Sequence, residues 1–529
     1  MAPGMLYVTM EPGPDLPPDV FHEWYNNEHG PTRLRLPHIF ANGLRYRATD
    51  GAQPEFLAVY DVTDMNLLAT PTYTRLRENR SPREAETIAR VDVGRRFLDL
   101  AFARQSPSFR PLEELTDAEA EGVVLVAVEI TLADPAGEAE FSRWFDEEHA
   151  PMLSRIPGWL RSRRFKTSAS EGMPATHVAL NEYAGANGLG GPEHREAMST
   201  PWRDEVFRNV AEKARRTYEL FYVFGPAPRD LVSLSRLPAP GSFSDATTST
   251  TADASAVIAS RVAAADGLQI QYRLEGNPSP DAPTVAFCNS LLTSLHMWDA
   301  LVAILRSRRP EFRILRYDAR GRHSIPSPPV PATLGTLSDD LAALLNALRI
   351  PALHALVGVS MGGATTVRFA LDRPTRLRRF VACDFNVAGS EANTKAWKER
   401  IAVAESGPDG IAKLARLTVE RWFHPHTLAH KEDAARSMTD MVAANDVEGF
   451  RHSCQALWDY DMRDALKGCA VPGLLVVGEG DGKGALVKAM DGFKAVVGGG
   501  AELKIVPLAG HLPMFESPAE FWEAVDAFL

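Results

Sequence analysis

The sequence predicts two joined architectures: a doubly wound, mostly parallel α/β sheet with a helical lid, preceded by a tandem α+β ferredoxin-like repeat. Three observations carry this reading. From about residue 257 onward, apolar strand-like runs alternate with helical stretches. A Gly-x-Ser-x-Gly pentapeptide, Gly358 to Gly362, stands between one such strand and the helix after it. In the first half a short motif is written twice, "FHEWYNNEHGP" from Phe21 and "FSRWFDEEHAP" from Phe141.

Phe21, Trp24, Glu28, His29, Pro31 and Pro37 recur as Phe141, Trp144, Glu148, His149, Pro151 and Pro157, at a constant offset of about 120 residues, too long for a solenoid. Around each motif the signals run in one order. A β-rich run ("MLYVTM"; "GVVLVAVEI") precedes the Trp-containing helical segment, a Pro-marked turn and a second strand ("GLRYRA"; "LRSRRFK"). A third strand ("EFLAVYDV"; "THVALNEYA"), a helical stretch and a last strand ("RRFLDLAFA"; "RTYELFYVFG") complete βαββαβ. Two such units, residues 1–110 and 111–226, are expected to pair their sheets and close an α+β barrel within one chain.

Residues 227–256 are rich in Pro, Ser, Thr and Ala without apolar periodicity and read as a linker. In residues 257–529 the strands are "PTVAFCN", "FRILRYD", "ALHALVGVS", "RRFVACDF", "PGLLVVGEG" and "ELKIVPLAG". Their near-continuous apolar runs suit strands covered on both faces. An insert at about 386–458 is helical by pattern and is expected to lie over the strand ends as a lid.

Composition narrows the function classes. The 529 residues are 45% hydrophobic and 24% charged, ordinary for a globular protein, and need more than one core. A net charge of −11 without a long basic run argues against nucleic acid or an anionic membrane as partner. No signal peptide is legible at the start and no apolar run approaches membrane-spanning length, so a cytoplasmic protein is expected. Cys288, Cys383, Cys454 and Cys469 have neither metal-ligand nor disulfide spacing, and no metal or cofactor is expected.

The chemistry centres on Ser360. Small neighbours let a strand turn sharply into a helix, which lifts the hydroxyl clear of the sheet and aims the Met361 amide at the same place. A serine hydroxyl needs an imidazole base, itself oriented by a carboxylate, and in this architecture the order is Ser, acid, His. Asp481, ending "LLVVGEGD", and His511, after the last strand, meet that order. Asp384 is the rival acid and His323 the rival base. The Leu291 amide, in the loop after "TVAFCN", is the second oxyanion donor, while Asp318 and Arg320 brace a neighbouring loop. In the lid, Trp397, Trp422, Phe423 and Trp458 either line an apolar pocket or pack the lid onto the sheet.

With "NSL…MW", "RYDARG", "SMGG", "ERWF", "NDVEGF" and "CQALWDYDMR" in place, residues 268–529 resemble the α/β-hydrolases, most nearly the 3-oxoadipate enol-lactonases. The resemblance implies an α/β-hydrolase fold and adds Asn289 and Trp298, of the first loop, to the substrate-binding candidates. Gly321-Arg322-His323 departs from the usual Gly-His-Gly, and "GDGKG" lacks the expected Thr or Pro after the acid. The repeated "W…DEEHAP" followed by "IPG" resembles the EthD-like members of the dimeric α+β barrel superfamily. In that setting His29 and His149 are either acid/base groups in a barrel cavity or helix-end histidines bonded to nearby backbone.

The expectation is a serine hydrolase cleaving a lactone or carboxylic ester of a small molecule. Two other readings stand beside it: a carbon–carbon hydrolase or pathway enzyme whose barrel acts as a lyase or binding module, and a scaffold with a relic hydrolase half.

Overall fold

Each half of the repeat contributes four strands. The first supplies β1 (Gly4–Pro12), β2 (Leu44–Ala48), β3 (Phe56–Val62) and β4 (Val91–Gln105); the second supplies β5 (Val124–Leu132), β6 (Trp159–Thr167), β7 (His177–Tyr183) and β8 (Val210–Val223). In the computed structural model, which describes residues 2–169, 175–239, 241–244, 247–252, 256–497 and 500–529, these form a closed antiparallel barrel. Its order is β1-β3-β2-β8-β5-β7-β6-β4. Each copy is thus a sheet ordered fourth-first-third-second, and the copies join edge to edge through β2–β8 and β4–β6.

The two-residue period of a strand divides its apolar residues between the barrel interior and the layer beneath the helices. On β1, Met5 and Tyr7 point into the barrel with Leu44, Leu57, Leu125 and Leu220. Leu6, Val8 and Met10 point outward beneath the helices, against Phe21, Trp24 and Tyr25. Charge also ties the copies together: Arg163 on β6 bonds Asp61 of β3 at 2.6 Å and Glu182 of β7 at 3.1 Å. In both copies the Trp-bearing helix widens into a π-helical turn, Tyr25–His29 and Phe145–His149. The five-residue step sets His29 beside Trp24 and stacks His149 on Trp144, with ring centroids 4.8 and 4.6 Å apart.

The chain divides at residue 228, into Met1–Pro228 and Arg229–Leu529. The second unit is one ten-stranded sheet: β9 (Gly241–Ser244), β10 (Ser249–Ala252), β11 (Ala256–Ala263), β12 (Gln269–Gly276), β13 (Thr284–Cys288), β14 (Arg313–Tyr317), β15 (Ala355–Val359), β16 (Phe380–Cys383), β17 (Gly473–Gly478) and β18 (Glu502–Val506). The order is β18-β17-β16-β15-β13-β14-β12-β11-β10-β9, parallel from β14 through β18 and antiparallel beyond. Between β16 and β17 the insert forms helices at Glu391–Ala404, Gly410–Trp422, Pro425–His430, Glu432–Ala443 and Val447–Cys454. Among the described residues no helix is long and apolar enough to cross a membrane.

The expected linker needs correction. Residues 227–256 include a helix, Leu231–Ser235, capped by Asp230, and the two strands β9 and β10. Arg313 Nη2 donates to the Arg229 carbonyl at 2.8 Å, fixing the start of this segment to β14. Its Ser/Thr runs alternate half-buried and buried along β10, which is how short polar residues sit on a sheet margin. Low apolar content hid strands whose task is to cover β11. A fragment starting at Arg229 should therefore fold and remain monodisperse, whereas one starting at Ala256 should melt several degrees lower or aggregate through the bared β11 edge. Thermal denaturation with size-exclusion chromatography of the two fragments reads the difference.

Candidate active site

Ser360 sits between β15 and the helix Met361–Asp372 with φ 58° and ψ −120°, backbone angles that a serine adopts only under constraint. Closeness of packing supplies the constraint. A Cβ on Gly358 would lie 2.2 Å from the Gly362 carbonyl oxygen, and one on Gly362 would lie 2.2 Å from that of Cys288. The Ser360 amide donates to Cys383 O at 2.9 Å, locking the turn to β16. Met361 opens the helix, so its N–H has no carbonyl within the helix to bond. Leu291 is buried in the loop after β13, next to Leu292 at φ 69°.

His511 Nδ1 bonds Asp481 Oδ2 at 2.7 Å. Burial pushes the Asp481 carboxyl up, but the His511 charge and hydrogen bond outweigh it and hold the group below its ordinary value. The rival acid lies alongside. Asp384 is buried at φ 46°, its Oδ1 accepting from Gly478 N at 2.9 Å, and it lies with Asp481 and His511 in a cluster whose polar atoms are within 4.8 Å of one another. Burial first, and the Asp481 charge next, push the Asp384 carboxyl well above the usual carboxylate range. These shifts favour an ionised Asp481 facing His511, with a protonated Asp384 beside it.

The histidine loop is braced by a residue sequence reading passed over. Glu516 is buried and accepts from Gly510 N at 2.9 Å, Leu512 N at 3.3 Å, His424 N at 2.8 Å and Thr427 Oγ1 at 2.9 Å. One carboxylate thus clasps the loops on both sides of His511 and the end of the lid helix Gly410–Trp422. His511 N also donates to Trp422 O at 2.7 Å.

Ser360, Asp481 and His511 line one cavity of about 410 Å³, roofed by the lid. Trp397 and Trp422 line it as well. Phe423 instead packs on Phe515, ring centroids 6.0 Å apart, and Trp458 lies under the Lys398 ammonium, 5.3 Å from its ring centroid. Asn289 and Trp298 do not reach it either. Asn289 bonds Tyr317 O, Asp318 Oδ1 and Trp298 Nε1, all its polar atoms engaged, and Trp298 is fully buried on Phe287. These two side chains hold that loop to the end of β14. Asp318 braces the loop after β14 by bonding His323 Nε2 at 2.7 Å and Leu295 N at 2.6 Å, and Arg320 forks onto Asp340 at 2.7 and 2.6 Å.

Polar lining residues that went unread in the sequence include Asn386, Asn393, Tyr460, Arg400 and Arg421. The Arg400 guanidinium stacks 4.4 Å from the Trp397 ring centroid. Arg421, enclosed by protein on most sides yet open to the cavity, has its pKa lowered to about 10 by burial and then by the Arg400 charge. Neither arginine forms an ion pair among the described residues. Helical periodicity alone gives no signal for two charges that meet from separate lid helices.

The barrel histidines lie elsewhere than a barrel cavity. The barrel interior is filled by side chains, and both imidazoles sit outside it, between helices and sheet. His29 Nδ1 bonds the Glu84 carboxylate at 2.7 Å rather than backbone. The described cysteines are buried and free.

A profile of the alpha/beta hydrolase family matches residues 285–524. The chain is 28% identical over 249 residues to 3-oxoadipate enol-lactonase 2 of Acinetobacter baylyi, spanning 47% of this chain and 89% of that one. It is 30% identical over 205 residues to 3-oxoadipate enol-lactonase 1 of the same organism, 39% of this chain and 74% of that one. Among solved structures, a hydrolase from Pseudomonas aeruginosa PA01 matches with 34% identity and a TM-score of 0.46, over 51% of this chain and 97% of that one. The chain belongs to the alpha/beta hydrolase family, through its second unit.

The Asp384 assignment has a measurable consequence. An unfolded aspartic acid loses its proton near pH 4. Folded Asp384 keeps its proton to higher pH, so above about pH 4 the folded chain binds more protons than the unfolded one and stability falls as pH rises. Asp384→Asn, a neutral near-isostere that tolerates positive φ, should raise the melting temperature at pH 7.5 and change it little at pH 4. Calorimetry at the two pH values checks this; equal losses at both would show that the carboxyl is not held neutral.

Proposed function

We propose that the second unit is a serine hydrolase cleaving lactone or carboxylic ester bonds in a small organic anion. The observation that carries this reading is the His511–Asp481 pair, 2.7 Å apart, facing the same cavity as a serine on a strained strand-to-helix turn. In this mechanism Ser360 Oγ attacks the acyl carbon while His511 Nε2 takes its proton. Asp481 accepts the Nδ1 hydrogen bond and stabilises the imidazolium. The Leu291 and Met361 amides receive the developing oxyanion in a site shielded from water by the lid. His511 then returns the proton to the leaving oxygen, and a water molecule activated by the same imidazole releases the acid and restores Ser360.

The two arginines support the charge of the substrate. A guanidinium pair without carboxylate partners favours an anion, and Arg forks onto carboxylates bidentately. The relatives' names agree with this: an enol-lactone of 3-oxoadipate closes one carboxyl into the ring and leaves the other free.

Ser360→Ala should lower turnover by about 10⁴-fold or more, and should abolish labelling by a fluorophosphonate probe. Asp481→Asn should cost a large factor and Asp384→Asn far less; the reverse ranking would move the acid to Asp384. Hydrolysis rates on a panel of lactones and aryl esters give these numbers directly.

Substrate charge is tested separately. Arg421→Gln and Arg400→Gln should each raise KM for a carboxylate-bearing lactone by about tenfold, the scale of a charge-assisted hydrogen bond. Both should leave p-nitrophenyl acetate hydrolysis within about twofold, since that ester carries no anion to hold. Equal losses on both substrates would mean that the arginines act on the lid's shape rather than on charge.

A further inference from the structure

The two copies of the repeat place similar parts around their histidines and differ, among other positions, at one residue beside the imidazole. In each, a short Pro-started helix is capped by a hydroxyl: Ser81 accepts from Glu84 N and Thr200 accepts from Arg203 N. Those hydroxyls also bond the paired glutamates, Ser81 to Glu28 and Thr200 to Glu148. The third residue of that helix is Glu84 in one copy and Arg203 in the other. Glu84 takes His29 Nδ1 and Trp24 Nε1, both at 2.7 Å, and closes the space. Arg203 instead stacks on Phe207, its guanidinium carbon 4.1 Å from the ring centroid. Trp144 Nε1 turns to Glu148 at 3.1 Å, and His149 Nδ1 is left with no partner among the described residues.

The space left in the second copy is a cavity between the Phe141–His149 helix and the outer face of β5 and β7. Its enclosed core is narrow, about 60 Å³, and opens through a wider mouth, so an occupant with a ring would seat partly in the mouth. Most of its wall is apolar. Two deeply buried groups in it also lack partners: Asn181 Oδ1 and His177 Nδ1, on residues 4% and 3% exposed. A buried polar atom without a partner is costly, so three around one cavity point to a ligand with hydrogen-bonding groups.

Charge sets the class of that occupant. The residues lining the cavity include Arg164, Arg203, Lys213 and Arg215 and no carboxylate. Arg164 pairs with Asp146 and Arg203 with Asp204, whereas Lys213 and Arg215 form no ion pair among the described residues. In the first copy the space is taken up from within: Arg45, fully buried, lies over the rings of Phe21, Tyr25, Phe56 and Phe221 at 4.2–5.5 Å. Its counterpart Arg164 meets only Phe141 and Phe145, at 6.0 and 5.5 Å.

We propose that the second repeat alone holds a binding site for a small, largely apolar organic anion, seated between its helix and sheet with its acidic group toward Lys213 and Arg215. The first repeat is the closed counterpart, its histidine engaged by Glu84. The site is separate from the Ser360 cavity and does not rest on the hydrolase reading.

Salicylate, one ring with a carboxylate and a hydroxyl, is the probe. The full chain carrying Arg400→Gln and Arg421→Gln is titrated by calorimetry, so that the cations of the hydrolase cavity do not compete. Saturable binding at one site is expected, weakened at least tenfold by Lys213→Gln with Arg215→Gln. Both of those side chains are exposed, so the exchange leaves the core intact. Ala179→Phe, which fills the cavity, should abolish binding, and salicyl alcohol, lacking the anion, should bind at least tenfold more weakly. Absence of saturable salicylate binding up to about 10 mM would overturn the proposal. So would binding that survives the Lys213/Arg215 exchange unchanged.

Discussion

Open strand edges are the constraint from which much of this chain's architecture follows. A four-stranded sheet ordered fourth-first-third-second ends in two rows of unpaired backbone groups, and leaving these bare invites pairing with another chain. The N-terminal unit removes both edges by joining β2 to β8 and β4 to β6. Duplication is therefore structural before it is anything else: one copy supplies what the other lacks. The second unit is an open sheet and meets the same demand differently, by laying β9 and β10 beyond β11. The segment with the least apolar sequence is spent on that margin, where one side faces water.

Inside the second unit, position is set by backbone contact more than by side-chain chemistry. Ser360 holds its angles because Gly358 and Gly362 let carbonyl groups come within distances no side chain would tolerate. His511 is held by its own amide on Trp422 and by a loop gathered around Glu516. The same carboxylate reaches His424 and Thr427, so the lid and the histidine loop share one anchor. A movement of the lid helix Gly410–Trp422 would be felt at His511, and Arg421 lies on that same helix.

Much of this was legible because the signals were local. Short apolar runs marked the strands, the elbow pentapeptide marked the turn at Ser360, and chain order placed Asp481 and His511 after it. What escaped reading depends on contacts between distant segments. Arg400 and Arg421 meet across two helices, and Glu516 looks in sequence like any surface acid after "PMF". Asn289 and Trp298 were read toward the substrate because their loop is near it, while their polar atoms are used up on each other and on the β14 end. The β9–β10 segment was missed because Ser and Thr alternation carries a weak hydrophobic signal, although it carries a good β one.

The continuous peptide between the two barrel copies has a consequence for how the unit can change. In a homodimer each substitution appears twice, once in every subunit, so a residue that seals one crevice seals its mirror image as well. Here Glu84 and Arg203 occupy the same place in two separately encoded stretches of one chain, and each can change without the other. Fusion thus permits a division of labour that symmetry forbids: one half is free to specialise in holding the shell together, the other in keeping a crevice open.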